Sequence, residues 1–186
     1  QCFEDPVTVS FKRINNDGQE EFFSEIYVIE RSVLEKSPMI RAMLYYDRQP
    51  LAGDRLPQNA QMPACQELSL SLVTGTPAIF YALFTVLAGN EDVSIKDWDT
   101  CIAGWSIKDV IEAYALIDYF FPFTDNCNTK EALTDYGNIQ EARYVLGEKI
   151  LAYTYNLSSE QQQIYFIYNE IIPAIGSFEQ LLYACI

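Results

Sequence analysis

The stretch Val33–Leu44, VLEKSPMIRAML, decides how the chain is read. It predicts two short helices meeting at a sharp joint. Ser37 can cap the second, its hydroxyl accepting from a free N–H of the first turn. Pro38 then takes the first helical position, where a missing N–H is not needed and φ is already set. Proline also drives the residue before it out of α geometry, so the preceding helix must end by Ser37. Val33 and Leu34 face inward before the joint, and Met39, Ile40, Met43 and Leu44 after it, at the helical spacings 39/43 and 40/44. Taken alone, this is an ordinary buried helix–turn–helix.

Upstream, Val7, Val9 and Phe11 alternate with Thr8, Ser10 and Lys12, the pattern of a half-buried strand. Asn15-Asn16-Asp17-Gly18 signals a hairpin turn, and a second strand is expected over about Glu21–Val28. Downstream, residues 45–66 hold Pro50, Gly53, Pro57 and Pro63 and read as a mobile surface insertion. Leu68, Leu70 and Leu72 then mark a third strand. Thr76-Pro77 repeats the cap-plus-proline start and opens a helix through AIFYALFTVLA to Gly89. That helix is apolar nearly all round, so it is expected to be the central buried one.

Residues 91–108 read as an acidic loop, with Asp92, Asp97 and Asp99 around Trp98 and Trp105. Exposed tryptophan in such a loop would make a docking surface; tryptophans buried to hold the loop down are the alternative. Ser106 can cap a helix whose buried face is Val110, Ile111, Tyr114, Ile117 and Phe121. Pro122 ends that unit and residues 123–128 form a linker. The rest is expected to be helical. Capping boxes are read at Asn138/Glu141, Ser158/Gln161 and Ser177/Gln180, Pro173 stops the second helix, and Ile164, Ile167, Tyr168 and Ile171 mark that helix's buried face.

With the flanking elements in place, Arg31-Ser-Val-Leu-Glu-Lys-Ser-Pro-Met-Ile-Arg-Ala-Met-Leu44 resembles the first helical hairpin of BTB/POZ domains. That family has a basic residue, a Val-Leu pair, a Ser-Pro-like joint and an Arg-Ala-Met-Phe-like end, entered from a strand hairpin. The helix at 77–88 is similar to the one following that family's third strand, although its end is Leu87-Ala-Gly-Asn90 where Leu-Tyr-Thr-Gly is usual. Val110-Ile-Glu-Ala-Tyr-Ala-Leu-Ile-Asp-Tyr119 resembles the family's late helix. The resemblance covers about residues 5–122 and implies an α+β fold. A small three-stranded sheet packed by helices (1–122) would be followed by an all-helical C-terminal extension (123–186). It also implies a protein-interaction module that self-associates or presents a face to a partner such as a cullin scaffold. Dimerising members pair an Asp opening the first strand with a basic residue opening the first helix. Asp5 and Arg31 fall on those positions, with Glu30 where the family usually has histidine. A structural subunit of a large assembly, such as a virus particle, is the alternative, because the aromatic-rich helical tail suits multi-contact packing.

Composition narrows the remaining classes. The 186 residues are 49% hydrophobic, ample for a core, and contain no apolar run long enough to span a bilayer. The net charge is −14, with −3 over residues 1–55 and −11 over the rest, which repels phosphate backbones and argues against nucleic acid. Simple solubility accounts for such a surface; steering of a basic protein partner is the functional alternative. Five scattered cysteines without a CxxC pair, and no histidine, leave no zinc framework and suggest reduced thiols in a cytosol-like compartment. No catalytic site, cofactor or metal is read: triads lack their histidine, Cys101 lies among acids that would raise its pKa, and no phosphate-cradling glycine motif occurs.

Overall fold

The computed structural model describes residues 5–46, 66–88, 95–121 and 130–184. The chain divides into two compact units, Gln1–Val73 and Thr74–Ile186. The expected insertion at 45–66 lies largely outside the described residues.

The first unit is the strand hairpin, the helical joint and the third strand. β1 (Pro6–Ile14) pairs antiparallel with β2 (Glu20–Glu30) and parallel with β3 (Gln66–Ser71), giving a mixed sheet of order β2-β1-β3. The turn is fixed by Asn15, whose Oδ1 accepts from the N–H groups of Asp17 at 3.0 Å and Gln19 at 2.9 Å. Gly18 supplies the positive φ of +75° that closes it. Register sets Val9 beside Leu68 and Phe11 beside Leu70, so Val7, Val9, Phe11, Leu68 and Leu70 share one buried face. β2 sits at an edge, with its register against β1 shifting between Ser10 and Lys12, and exposes Phe22, Ile26 and Val28.

The joint forms as its sequence dictates. α1 (Arg31–Leu34) ends before Ser37, and α2 (Pro38–Tyr46) begins at the proline. The Ser37 hydroxyl, fully buried, accepts from the Ile40 N–H at 3.3 Å. Arg41 clamps the corner, donating from Nε and Nη2 to the Glu35 carbonyl at 2.9 and 2.6 Å. Leu34, Ile40 and Leu44 are buried, while Val33, Met39 and Met43 are half-buried.

The second unit is helical. α3 (Pro77–Ala88) is capped by Thr76, whose Oγ1 accepts from the Ile79 N–H at 3.3 Å. Ile79, Phe80, Leu83, Phe84 and Leu87 are buried, and Tyr81 and Thr85 mark its exposed side. α4 (Ile95–Ile102) occupies the stretch read as a loop: Trp98 and Ile102, one turn apart, are both buried, which gives an otherwise polar segment a helical inner edge. α5 (Ile107–Phe120) opens on a complete capping box, Ser106 with Asp109. Phe80 and Phe84 stack at 4.3 Å and meet the edge of Phe120 at 5.2 and 6.2 Å.

Three expectations in the C-terminal part are corrected. α6 is one helix from Lys130 to Tyr155, so Asn138 lies inside it, buried, and is not a cap. The helix runs on through Gly137, which costs about 1 kcal/mol relative to alanine. The cap of α7 (Glu160–Phe166) is Ser159, one residue later than read. Ser159 Oγ accepts from the Gln162 N–H, and the Gln162 side chain accepts from Ser158. Pro173 does not stop the run. A π turn, Ile167–Ile171, precedes it and relieves the collision a proline would make with the carbonyl four residues back in an α-helix. α8 (Ile172–Ile175) continues to Gly176, whose φ of +88° ends it, and α9 (Phe178–Ala184) starts directly after Ser177.

Gly75, ahead of α3, has φ of +76°, and a Cβ built there would lie 2.8 Å from Leu116 Cδ1. Gly75→Ala is expected to lower stability by about 1–3 kcal/mol through backbone strain and overpacking. Urea unfolding of wild type and variant checks this.

Candidate functional site

The sheet register builds the corner at Asp5 and Arg31. Pro6 pairs with Glu30 and Val7 with Gln66, so the residues just before β1, just after β2 and at the start of β3 converge. Arg31 is 8% exposed. Its Nε donates to Asp5 Oδ2 at 2.6 Å, its Nη2 donates to Gln66 Oε1, and its Nη1 lies 3.6 Å from Glu35 Oε1. The backbone adds Arg31 N–H to the Asp5 carbonyl at 3.0 Å, and Glu30 Oε2 accepts from the Asp5 N–H at 3.3 Å.

The structure therefore brings Asp5 and Arg31 together, as a bond within one chain. The guanidinium is engaged from all three nitrogens and buried, whereas the Asp5 side chain is 55% exposed and that of Glu35 39% exposed. A partner meeting this corner sees carboxylates. Glu30, in the position where the resembled family has histidine, ties down the backbone ahead of β1. Gln66 was not legible in sequence, because it reaches Arg31 across 35 residues and is placed by the parallel pairing of β3 with β1. Glu35 was the visible member, four residues from Arg31 on a helical face.

The residues proposed for acidic docking separate in structure. Trp98 is fully buried, with its indole Nε1 unpartnered. Trp105 is half-buried and its backbone N–H donates to the Ile102 carbonyl at 3.0 Å, closing the turn after α4. Asp97 and Asp99 are exposed, and Asp99 lies 3.5 Å from Lys149 Nζ on α6. Asp92 lies outside the described residues. Of the two readings of the tryptophans, Trp98 takes the buried one, which leaves on the surface the carboxylates of α4 and part of Trp105 in the turn after it.

Burial pushes the Cys101 thiol up, away from the thiolate form; the direction is the expected one, but desolvation causes it and not the neighbouring acids. Among the described residues, no three Cys, Asp or Glu side chains are grouped to hold a metal ion. No helix of the described residues is long and apolar enough to cross a membrane.

The surface that the sequence reading missed is on α7 and the turn after it. Ile164 and Tyr168 were expected on the buried face. Ile171 is buried and Ile167 half-buried, but Ile164 and Tyr168 are 48% and 67% exposed. An amphipathic stripe is normally assigned inward, and only the packing reveals that part of this one turns out. Comparison with protein-family models, curated proteins and solved structures finds no match to this chain.

Proposed function

We propose that the chain is a non-enzymatic protein–protein interaction module of BTB/POZ type, which self-associates or recruits a protein partner such as a cullin scaffold. The observation that carries the reading is the order of elements. A strand hairpin runs straight into a Ser-Pro helical joint, then a third strand, then a buried helix beginning at Thr76-Pro77. Those are the elements, in that order, on which the resemblance rests. The working parts are surfaces: the carboxylate-rimmed corner around Arg31 and the exposed apolar residues of β2. With a net charge of −14, a protein partner suits them and nucleic acid does not. Cysteines kept as thiols, as Cys101 is, would suit a cytoplasmic location.

A second reading, a structural subunit of a large assembly such as a virus particle, is favoured by the exposed Tyr144, Tyr153, Tyr155, Tyr165 and Tyr168. Aromatic side chains supply contact area at low entropic cost.

Co-expression of two differently tagged copies tests the first reading. The copy carrying the second tag, or a purified cullin N-terminal domain, is expected to be retained with the copy captured through the first. Retention of neither contradicts the reading. Open-ended assemblies of the chain, in place of a discrete complex, favour the second.

A further inference from the structure

α7 with its π turn, Glu160–Ile171, is a helical segment whose apolar stripe faces out. Ile164 is 48% exposed, Tyr165 66% and Tyr168 67%, and α7 itself has no buried side chain. Seven residues do not hold a helix in water by propensity. This one is held by its cap at Ser159, by Phe166 packing on Tyr153 at 5.0 Å between ring centres, and by the fully buried Ile171 at the far end. The segment is thus preformed while its outer side stays available. Gln161, Ile164, Tyr165 and Tyr168 follow the i, i+3, i+4, i+7 spacing of helices that seat in a groove. A shallow cleft lined by Leu157, Gln161, Gln162, Tyr165 and Phe166 runs beside it.

Charge selects the occupant. No Lys or Arg follows Lys149, and the exposed carboxylates of Glu160 and Glu170 flank the stripe. A second copy would bring like charge, and anionic headgroups are repelled. We propose that Glu160–Ile171 is a recognition helix that inserts Ile164, Tyr165 and Tyr168 into an apolar protein groove rimmed by Lys and Arg. This surface lies beyond residues 5–122, so it stands or falls separately from the reading above.

The test uses the full chain and two labelled helix-pair peptides as probes, each with a Leu-lined groove between its helices, one rimmed by Lys (Leu/Lys) and one by Glu (Leu/Glu). The charge-neutral triple variant Ile164→Gln, Tyr165→Gln, Tyr168→Gln is expected to bind the Leu/Lys peptide at least about tenfold more weakly than wild type. Glu160→Gln with Glu170→Gln is expected to weaken it several-fold and to reduce its salt dependence, and the Leu/Glu peptide is expected not to bind. Equal affinity of wild type and the triple variant overturns the proposal, as does indifference to the two Glu substitutions. Loss of self-association in the triple variant would instead assign the stripe to a second copy. Stripe-dependent binding to phosphatidylcholine vesicles would assign it to lipid. Circular dichroism verifies the fold, and Tyr168→Gln alone, at the most exposed position of the stripe, repeats the comparison if the triple variant is unstable.

Discussion

Leu83→Asp is expected to abolish cooperative unfolding of the helical unit. Leu83 is 3% exposed on α3, on the same face as Phe80, Phe84 and Leu87, all of them buried. A carboxylate there finds no cation on its own helix: the seven residues on either side of it, 76–90, contain no charged residue. Leaving a charge buried without a partner costs several kcal/mol, and the packing of the leucine is lost as well, together more than about 5 kcal/mol. That is of the order of a whole domain's stability. Protonating the aspartate would recover part of the loss at low pH, since the neutral acid is cheaper to bury. Leu83→Met, which keeps the volume, is expected to cost less than about 1.5 kcal/mol. Urea denaturation followed by circular dichroism distinguishes the two, and a cooperative, near-wild-type transition for Leu83→Asp would remove α3 from the core.

Arg143→Met is the second large effect. Arg143 is 8% exposed on α6, and its Nε donates to Asp118 Oδ1 at 2.9 Å while Nη2 donates to the Phe121 carbonyl at 2.7 Å. It closes the C-terminal end of α5, where helix carbonyls lack partners and the dipole favours a cation. Methionine preserves much of the stem but leaves the Phe121 carbonyl unpaired in a buried position. The Asp118 side chain, 38% exposed, regains water, which limits its share. The expected loss is about 2–3 kcal/mol. A double-mutant cycle with Asp118→Ala separates the ion pair from the carbonyl bond: Arg143→Met should remain costly when Asp118 is already alanine. A cost that vanishes there would place the whole effect in the salt bridge.

What could be read from sequence was local. The Ser37-Pro38 joint, the Asn15 turn, the Thr76-Pro77 start and the Ser106 cap each depend on a few neighbouring residues, and all four form as their chemistry requires. What could not be read depended on packing. α4 is only two turns long, and its apolar positions Ile95, Trp98 and Ile102 are set among charged and polar residues. Asn138 imitates a cap because a glycine precedes it, yet the helix runs through both. Pro173 imitates a stop because sequence carries no sign of the π turn that accommodates it. Asp5 and Arg31 were placed by resemblance; that Gln66 and Glu30 complete their corner follows from sheet register, a property of strands far apart in the chain.

The central claim is that this chain works through its surfaces, by joining another protein. Sedimentation velocity of the full chain, alone and with a cullin N-terminal domain, tests it most directly. The expected result is a discrete species of twice the 21.3 kDa chain mass, or a heavier complex with the added domain. A particle of single-chain mass at every concentration, unchanged by the addition, would contradict it.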